Sequence, residues 1–413
     1  MSATESLPVQ RSSRFESVQP APPDAILGLT EAFKADPRKD KLNLTVGVYQ
    51  DETGTTPILD CVKEAEKRLV ESETTKGYLG IDGLPEYQTA VRELVFGDQI
   101  NADRIATLQT PGGTGAVRVA AEFLASQCGL IAGEARTRIF LPSPTWANHN
   151  AIFASAGLPI ETYRYLGSDR RTLDFDGLIE DVTSKTRPGD AILLHACCHN
   201  PTGVDPTTEQ WRTLANALKD RGVLPVIDFA YQGFGEGLEQ DATGMNVILS
   251  QCDEALVCSS YSKNFGLYSE RIGAISLVGG NAEATTACQT QLKRLVRSNY
   301  SNPPRHGAAI VATILNDGEL KSQWKAELTA MRTRIHALRD SFVSGMQVVA
   351  PEHDFGFLLQ QKGMFSFSGL NQMQVDQLRS EHGVFIVGSG RINVAGMKED
   401  RMEWLCQAIA SVL

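Results

Sequence analysis

Residues Arg104–Ser126 read RIATLQTPGGTGAVRVAAEFLAS, a short apolar run followed directly by a glycine-rich turn and a helical pattern. The run Arg104–Gln109 predicts a buried strand, and Ala116–Ser126 predicts a helix, because apolar residues recur there at helical spacing. The turn Gly112-Gly-Thr-Gly115 lies between them, so its backbone N–H groups and the helix dipole can receive an anion such as phosphate. A strand that passes through a tight turn into a helix is typical of an α/β fold.

The same alternation of apolar runs, turns and amphipathic stretches extends from about Val62 to Leu315. Further strand-like runs end in turn residues or polar residues: Arg138–Leu141, Ala191–Cys197, Leu224–Ile227 and Ala255–Cys258. Continuous apolar strands that alternate with helices predict a mostly parallel sheet covered on both faces. Ligands bind just beyond the carboxyl ends of such strands, and the polar motifs of this chain cluster there.

The last hundred residues follow a different pattern. From Leu320 to Met346 apolar residues recur every three or four positions, which predicts one long amphipathic helix. A helical pattern at Gln374–Glu381 and strand-like runs at Val384–Gly388 and Arg391–Val394 follow. We therefore expect a smaller α+β lobe after the parallel sheet.

Composition excludes several classes of protein. The chain has 413 residues, 42% of them apolar and 21% charged, which is ordinary for a soluble globular protein with more than one domain. Its net charge of −10 argues against binding nucleic acid or an anionic membrane surface. Eight scattered cysteines form no C-x-x-C pair, and the first residues contain no apolar signal segment. We expect a cytoplasmic protein without a membrane span.

Lys263 is the first candidate for chemistry, in the stretch Ser259-Ser-Tyr-Ser-Lys-Asn-Phe-Gly266. A lysine after a buried strand is either a solvated loop residue or a nucleophile activated by desolvation. The hydroxyls of Ser260 and Ser262, together with Arg271, suit an anion and most plausibly a phosphate.

Asp228 ends the strand-like run Pro225-Val-Ile-Asp228 and requires a cationic partner if it is buried. The cation is either another side chain, in a structural ion pair, or part of a ligand. In the second case Tyr231 can also offer its phenol to that ligand.

Two other kinds of site, a zinc site and a serine-enzyme active site, match parts of the sequence only incompletely. His195, Cys197 and His199 would share one face of a strand, but their spacing of about 6.6 Å does not close a tetrahedron around zinc, so we expect no metal. Ser260-Tyr-Ser-Lys263 matches the S-x-x-K motif of penicillin-recognising serine enzymes, but Ser-Asp-Asn and Lys-Thr-Gly do not occur in the chain.

From about Pro23 to Leu413 the chain resembles the pyridoxal-phosphate-dependent aspartate aminotransferases of class I, fold type I. Seven motifs in order carry the resemblance: Thr110-Pro-Gly-Gly-Thr-Gly-Ala116, His199-Asn-Pro-Thr-Gly203, Asp228-Phe-Ala-Tyr-Gln-Gly-Phe234, Ser260-Tyr-Ser-Lys-Asn-Phe-Gly-Leu-Tyr268, Glu270-Arg271, Asn299-Tyr-Ser-Asn-Pro-Pro304 and Gly390-Arg-Ile-Asn-Val-Ala-Gly396.

The resemblance implies pyridoxal 5′-phosphate as cofactor and Lys263, Asp228 and Tyr231 as catalytic residues. Lys263 would be the Schiff-base lysine and would also move the proton at the substrate Cα. Asp228 would keep the pyridinium nitrogen protonated, and Tyr231 would bind the phenolate oxygen. The implied cofactor contacts are Lys263, Gly113, Thr114, Trp146, Asn200, Asp228, Tyr231, Ser260, Ser262 and Arg271, with Tyr78 from a neighbouring subunit.

The resemblance also implies substrates with two carboxylates. Arg391 would hold the α-carboxylate as a bidentate fork, and Arg297 would reach across a homodimer with shared active sites to the side-chain carboxylate. Gly47, Trp146 and Asn200 would be the other substrate contacts. The implied reaction converts L-aspartate and 2-oxoglutarate to oxaloacetate and L-glutamate.

An aromatic-amino-acid aminotransferase is the alternative. Its relatives share both arginines, whereas Tyr78-Leu-Gly-Ile-Asp-Gly83 and Asn264-Phe-Gly-Leu-Tyr268 favour the aspartate enzymes.

The implied domain organisation is a flexible N-terminal arm at 1–22, a small domain from 23–54 and 321–413, and a large cofactor-binding domain at 55–320. The resemblance also suggests cis peptide bonds at Ser143-Pro144 and Asn200-Pro201, and X-Pro bonds make the cis form accessible at low cost.

Overall fold

The computed structural model describes residues 15–20, 25–128 and 136–413. Most of the predicted arm at 1–22 therefore lies outside the described residues. The α-helices of the described chain are α1 (Ala25–Ala35), α2 (Asp60–Ser72), α3 (Pro85–Phe96), α4 (Gly112–Gln127), α5 (Asn148–Ser155), α6 (Phe175–Lys185), α7 (Thr208–Arg221), α8 (Thr243–Gln251), α9 (Ala282–Asn299), α10 (His306–Asn316), α11 (Gly318–Val349), α12 (Gln372–Gln377) and α13 (Met402–Ala410). The strands are β1 (Leu42–Asn43), β2 (Ile105–Pro111), β3 (Ile139–Ser143), β4 (Ile160–Arg164), β5 (Ala191–His195), β6 (Leu224–Phe229), β7 (Ala255–Ser260), β8 (Ile272–Val278), β9 (Phe365–Phe367), β10 (Val384–Phe385) and β11 (Arg391–Asn393).

Seven strands form the main sheet in the order β2-β8-β7-β6-β5-β3-β4. Neighbouring strands are parallel except at β8, which runs antiparallel to both β7 and β2. Strands β5, β7 and β8 are buried along their whole length, as expected for a sheet covered by helices on both faces. The prediction of an α/β fold with a mostly parallel sheet is confirmed.

Five strands of this sheet were predicted from the sequence, whereas β4 and β8 were not. The edge strand β4 buries only Tyr163 completely, because its other side chains face solvent or are partly exposed, so it lacks a continuous apolar run. Strand β8 is fully buried but follows β7 without an intervening helix, which interrupts the alternation that marked the other strands.

The register of the sheet aligns the carboxyl ends of its central strands. His195 at the end of β5 pairs with Asp228 of β6, and Asp228 pairs with Cys258 of β7. Asp228 and the loop after β7, which carries Lys263, therefore meet at one edge of the sheet. The N-terminus of α4 comes to the same edge, because β2 is parallel to β7 and leads directly into that helix.

The long helix predicted from Leu320 to Met346 is α11, which has 32 residues. Every apolar position of the predicted stripe is buried: Leu320, Trp324, Leu328, Met331, Ile335, Leu338, Phe342 and Met346. Asp317 caps the helix by accepting the backbone N–H groups of Glu319 and Leu320.

Two short strand pairs lie outside the main sheet. Strand β1 pairs in parallel with β10, so residues near the two ends of the chain meet, and β9 pairs antiparallel with β11. The predicted strands at Val384–Gly388 and Arg391–Val394 are present in shortened form, and α12 continues into a π-helical turn at Leu378–His382. The peptide bonds Ser143-Pro144 and Asn200-Pro201 are both cis, as predicted.

No helix among the described residues is long and apolar enough to cross a lipid bilayer.

Candidate active site

One cavity of about 270 Å³ opens at the carboxyl edge of the sheet. All the predicted site residues except Tyr78 and Arg297 line it, together with Ala230, Tyr268 and Phe365. Its walls are formed by Gly47, Gly113, Thr114, Trp146, Asn200, Asp228, Ala230, Tyr231, Ser260, Ser262, Lys263, Tyr268, Arg271, Phe365 and Arg391.

Lys263 enters this cavity from the loop after β7. Its Nζ atom lies 4.7 Å from the centre of the Tyr231 ring. Burial lowers the pKa of the Lys263 amine, while the attraction of Asp228 opposes that shift. The amine is therefore easier to deprotonate than an exposed lysine, which a nucleophile or proton carrier requires.

Asp228 belongs to a chain of hydrogen bonds that runs below the cavity. Its Oδ2 atom lies 3.0 Å from Nε2 of His149, and Nδ1 of His149 lies 2.8 Å from the Thr145 hydroxyl. The Thr145 hydroxyl is 3.2 Å from Nε2 of His195, whose Nδ1 accepts the backbone N–H of Asn200 at 3.3 Å. This network holds the Oδ2 atom of Asp228. Among the described residues, no hydrogen bond uses the other carboxylate oxygen, which is left for the cavity.

The pKa values in this chain favour a charged Asp228 and a neutral His195. Burial raises the pKa of Asp228, but the hydrogen bond and charge of His149 outweigh it, so the carboxyl remains ionised. Burial lowers the pKa of His195 to about 3, and His149 adds to the shift. Asp228 is therefore a permanent anion facing the cavity, suited to a cationic ring nitrogen.

Tyr231 and Asn200 face each other beside Lys263. The amide of Asn200 donates to the Tyr231 hydroxyl at 3.3 Å, and both side chains are buried. The Oδ1 atom of Asn200 is buried without a hydrogen-bond partner among the described residues. A buried polar atom without a partner is costly, and this one belongs to a side chain that lines the cavity.

An anion site forms the next corner of the cavity. Arg271 donates to the Ser262 hydroxyl at 3.3 Å, and the Ser260 hydroxyl lies 3.3 Å from that of Ser262. The N-terminal turn of α4 faces this group, and its glycines permit the close approach. A Cβ atom at Gly112 would lie 2.4 Å from Nη2 of Arg271, and one at Gly113 would lie 2.9 Å from Cβ of Ser260. The helix N-terminus, the hydroxyls and the guanidinium together suit a phosphate.

Arg391 forms the opposite wall. Its guanidinium lies 4.2 Å from the Phe365 ring and donates to the carbonyl of Thr45 at 2.6 Å. Only 5% of the side chain is exposed, its Nε atom has no partner, and no carboxylate of the described chain pairs with it. Burial lowers the pKa of Arg391, but the group stays cationic at neutral pH. A buried cation without an acid partner is poised for the carboxylate of a ligand.

These features fit pyridoxal phosphate on the chemistry of the donors. The glycine cradle, Ser260, Ser262 and Arg271 match a phosphate, and Asp228 matches a protonated ring nitrogen. Tyr231 and Asn200 match a phenolate oxygen, and Lys263 matches an aldehyde carbon.

Tyr78 and Arg297 are not brought into this cavity by the chain itself. Tyr78 is 95% exposed. Arg297 lies in the last turn of α9 and contacts the Ser301 hydroxyl. It lines a separate open cavity of about 540 Å³ together with Lys293 and Arg294.

Sequence reasoning missed His149, Tyr268 and Phe365. His149 follows Trp146 at a spacing that no motif distinguishes, and its contact with Asp228 depends on the packing of α5 under the sheet. Tyr268 ends the motif that begins at Ser260, but no role was predicted for it. Phe365 reads as an ordinary core residue, and only the approach of β9 to the cavity places it beside Arg391.

The two histidines of the zinc arrangement that we rejected have other partners in the structure. His195 and His199 make hydrogen bonds to threonine hydroxyls, and the ring of His199 stacks on Tyr165 at 3.9 Å. Among the described residues, one group of possible metal ligands lies within 4.8 Å of one another: Cys197, Cys198 and Asp241. The carboxylate of Asp241 is already occupied by the backbone N–H groups of Gly233, Gly235 and Glu236.

Comparison with known proteins extends this picture over the whole chain. The model of the aminotransferase class I and II family matches residues 39–409. The aspartate aminotransferase of Escherichia coli K12 is 52% identical over 402 residues, covering 97% of this chain and all of that protein. The aromatic-amino-acid aminotransferase of Pseudomonas aeruginosa is 46% identical over 403 residues, covering 97% of this chain and 99% of that protein.

Solved structures agree with this assignment. The aromatic-amino-acid aminotransferase of Burkholderia pseudomallei, covalently bound to pyridoxal phosphate, matches with a TM-score of 0.93 at 43% identity and covers 97% of this chain and 100% of its own. The aspartate aminotransferase from Saccharomyces cerevisiae cytoplasm matches with a TM-score of 0.91 at 34% identity, covering 97% and 98%. From its sequence, its sheet and the cavity at the sheet edge, the chain belongs to the class I and II aminotransferase family.

Proposed function

We propose that this chain is a pyridoxal-phosphate-dependent aspartate aminotransferase, which transfers the amino group of L-aspartate to 2-oxoglutarate and gives oxaloacetate and L-glutamate. The observation that carries the proposal is the cavity that joins the amine of Lys263, the anion of Asp228 and the unpaired cation of Arg391. The high identity to aspartate aminotransferases supports the choice of substrates.

The cofactor supplies an aldehyde that accepts the amino group and a conjugated ring that takes up the electrons released at the substrate Cα. Lys263 provides the amine that holds the cofactor between turnovers and then moves the proton at Cα, for which its lowered pKa is suited. Asp228 holds a proton at the ring nitrogen, and His149 keeps the carboxylate ionised and oriented.

The remaining cavity residues bind and orient. Arg391 binds the α-carboxylate by two parallel hydrogen bonds. Trp146 would pack on the cofactor ring, and its own ring meets that of His149 at 88° with the two ring centres 5.0 Å apart. Ser260, Ser262, Arg271 and the N-terminus of α4 bind the phosphate and hold the cofactor in one position.

We propose that the active unit is a homodimer with shared sites, in which Tyr78 and Arg297 serve the cavity of the other subunit. Their exposure in one chain and their absence from its own cavity support this arrangement. Arg297 would bind the side-chain carboxylate of aspartate, 2-oxoglutarate or glutamate.

We further propose the division into a small domain from 23–54 and 321–413 and a large domain at 55–320, which the pairing of β1 with β10 supports. A cytoplasmic location remains a proposal, supported by eight cysteines that are all free.

Steady-state kinetics with 2-oxoglutarate as acceptor test the substrate. We expect kcat/KM for aspartate to exceed that for phenylalanine at least about tenfold, a difference of 1.4 kcal/mol in transition-state binding. A preference for phenylalanine or tyrosine would assign the chain to the aromatic enzymes instead. An absorbance spectrum before and after borohydride identifies the cofactor and its bond to the protein.

A further inference from the structure

Gly47, which lines the cavity, belongs to a stretch of irregular backbone, residues 45–49, that is held from both sides. The carbonyl of Thr45 accepts a hydrogen bond from Arg391 at 2.6 Å. At the other end, the backbone N–H of Tyr49 donates to the hydroxyl of Tyr268 at 2.9 Å. We call this stretch the 45–49 segment.

Asn393 holds the middle of the 45–49 segment. Its Nδ2 atom donates to the carbonyl of Val46 at 2.6 Å and to the carbonyl of Val48 at 2.8 Å. Its Oδ1 atom accepts the backbone N–H of Ala395 at 3.1 Å. The side chain is 2% exposed, so both amide hydrogens are committed to these two carbonyls away from water.

The two carbonyls flank Gly47, which lines the cavity. Among the described residues, no hydrogen bond uses the N–H or the C=O of Gly47 itself. A Cβ atom at this position would lie 3.0 Å from Cζ of Phe365, so a larger residue would press against that ring. The carbonyls on both sides are held, and the N–H of Gly47, which belongs to the same peptide unit as the Val46 carbonyl, is left as a donor for a ligand.

Arg391 and Asn393 lie two residues apart on β11, so their side chains leave the same face of the strand. The short strand β11 therefore carries both the guanidinium that lines the cavity and the amide that holds the 45–49 segment. This arrangement fixes the distance between the guanidinium of Arg391 and the free peptide groups of Gly47.

We infer that Asn393 is a positioning residue for the α-carboxylate of the substrate: by holding the carbonyls of Val46 and Val48, it keeps the peptide groups of Gly47 and the guanidinium of Arg391 at one spacing. The inference rests on the proposed transaminase activity and on the placing of Arg391 as the α-carboxylate ligand, but not on the preference for aspartate. Every amino acid and 2-oxo acid substrate carries the same carboxylate beside its reacting carbon.

The test is Asn393→Ala, with Asn393→Asp as a second variant that keeps the shape and the acceptor to Ala395 but loses the donors. We expect KM for the amino acid and for the 2-oxo acid each to rise about tenfold, with kcat within about threefold of the wild type. The dissociation constant of succinate, a dicarboxylate that binds without turnover, should rise by a similar factor in a spectroscopic titration. The absorbance spectrum and the content of bound cofactor should not change.

Asn371→Ala is the matched control, because this asparagine caps α12 by accepting the Gln374 N–H at 3.1 Å and lies away from the cavity. It should lower the thermal midpoint without changing KM. Unchanged KM in folded Asn393 variants overturns the inference, as does a loss confined to kcat or to cofactor content. If neither variant folds, Asn393 is a structural residue and the inference is likewise overturned.

The outcomes separate the two proposals. A wild-type enzyme that prefers an aromatic amino acid changes the proposed function but leaves this test intact with that substrate. A wild-type protein without any transamination refutes the proposed function before a variant is made.

Discussion

The protonation chemistry of Lys263 and Asp228 depends on the surroundings of each side chain. The amine of Lys263 is partly buried beside the Tyr231 ring, so its pKa is lowered, whereas the hydrogen bond from His149 keeps Asp228 ionised in spite of its burial. A lysine and an aspartate on the surface would have neither property. In the cavity, therefore, the amine of Lys263 and the carboxylate of Asp228 are each available to a ligand, whereas the two groups of an ordinary ion pair bind each other.

Replacing Lys263 by alanine should abolish catalysis while leaving the cofactor site otherwise intact. We expect a loss of at least about a thousandfold in kcat, because both the covalent attachment and the proton transfer at Cα depend on this amine. Borohydride should no longer attach the cofactor to the protein, as mass spectrometry of the reduced sample will show. Lys219→Ala, at the end of α7, is the control and should behave as wild type. Near-normal turnover of Lys263→Ala would refute the proposed mechanism.

His195 should make the protein sensitive to acid. Its pKa in the folded protein is lowered to about 3 by burial and by His149, while an unfolded chain has a value of about 6.5. Below pH 6.5 the unfolded state therefore binds a proton that the folded state refuses, so stability falls as the pH decreases from about 6.5 toward 3. Between pH 7 and pH 5 this amounts to about 2 kcal/mol per chain.

Urea unfolding of His195→Gln at both pH values measures this contribution. The variant should lose about 2 kcal/mol less than the wild type on going from pH 7 to pH 5. His353→Gln removes an exposed imidazole and should reproduce the wild-type pH dependence. Identical losses in all three proteins would show that His195 does not control acid stability.

Among the elements, α11 connects the core to the loop that carries Lys263. Trp324, near the N-terminal end of its buried stripe, stacks on Phe265 with ring centres 4.4 Å apart and donates its indole N–H to the carbonyl of Asn264 at 2.7 Å. Asn264 directly follows Lys263. The apolar periodicity of α11 predicted the helix and its buried face, but the contact with this loop depends on how the helix packs.

Trp324→Phe should therefore destabilise the protein and leave a buried carbonyl without its donor. We expect a loss of about 2–4 kcal/mol in unfolding free energy, from the hydrogen bond and from the volume removed. Trp404→Phe is the comparison, because Trp404 is only partly buried under Arg401, and it should cost less than about 1 kcal/mol. Equal effects of the two substitutions in urea unfolding would contradict the role given to Trp324.

In the whole molecule, the described residues place one cation, Arg391, in the part of the cavity that is not assigned to the cofactor. Arg297 is exposed at the end of α9 and lines a different cavity. A substrate with two carboxylates would need a second cation, and in the proposed homodimer each subunit would offer its Arg297 to the other.

Arg297→Ala should lower kcat/KM for aspartate at least about tenfold, since a charge-assisted hydrogen bond contributes roughly 1.5–3 kcal/mol. Phenylalanine and alanine, which have no second carboxylate, should be affected far less. Equal losses for aspartate and phenylalanine would remove Arg297 from this role.

Mixing tests whether the arginine acts across the dimer. Heterodimers of Arg297→Ala chains with Lys263→Ala chains contain one site in which both residues are intact. Equal mixing and reassociation should restore about a quarter of the wild-type aspartate activity, although neither variant alone is active at that level. Failure to restore activity in verified heterodimers would exclude a shared site.

The motifs that resemble one family named most of the cavity residues. The sequence by itself also determined five strands of the sheet, the helices that alternate with them and the buried stripe of α11. These follow from local rules, because apolar periodicity marks the elements and the polar motifs stand where strands end. Only the tertiary structure decided the contacts between distant segments. The bond between His149 and Asp228 joins residues that are 79 positions apart, and the hydrogen bonds from Asn393 to Val46 and Val48 join residues that are 345 or more positions apart. Phe365 is nearer to Arg391 along the chain, but the two meet only because β9 pairs with β11. Such contacts depend on the register of strands and the packing of helices, which local sequence does not specify.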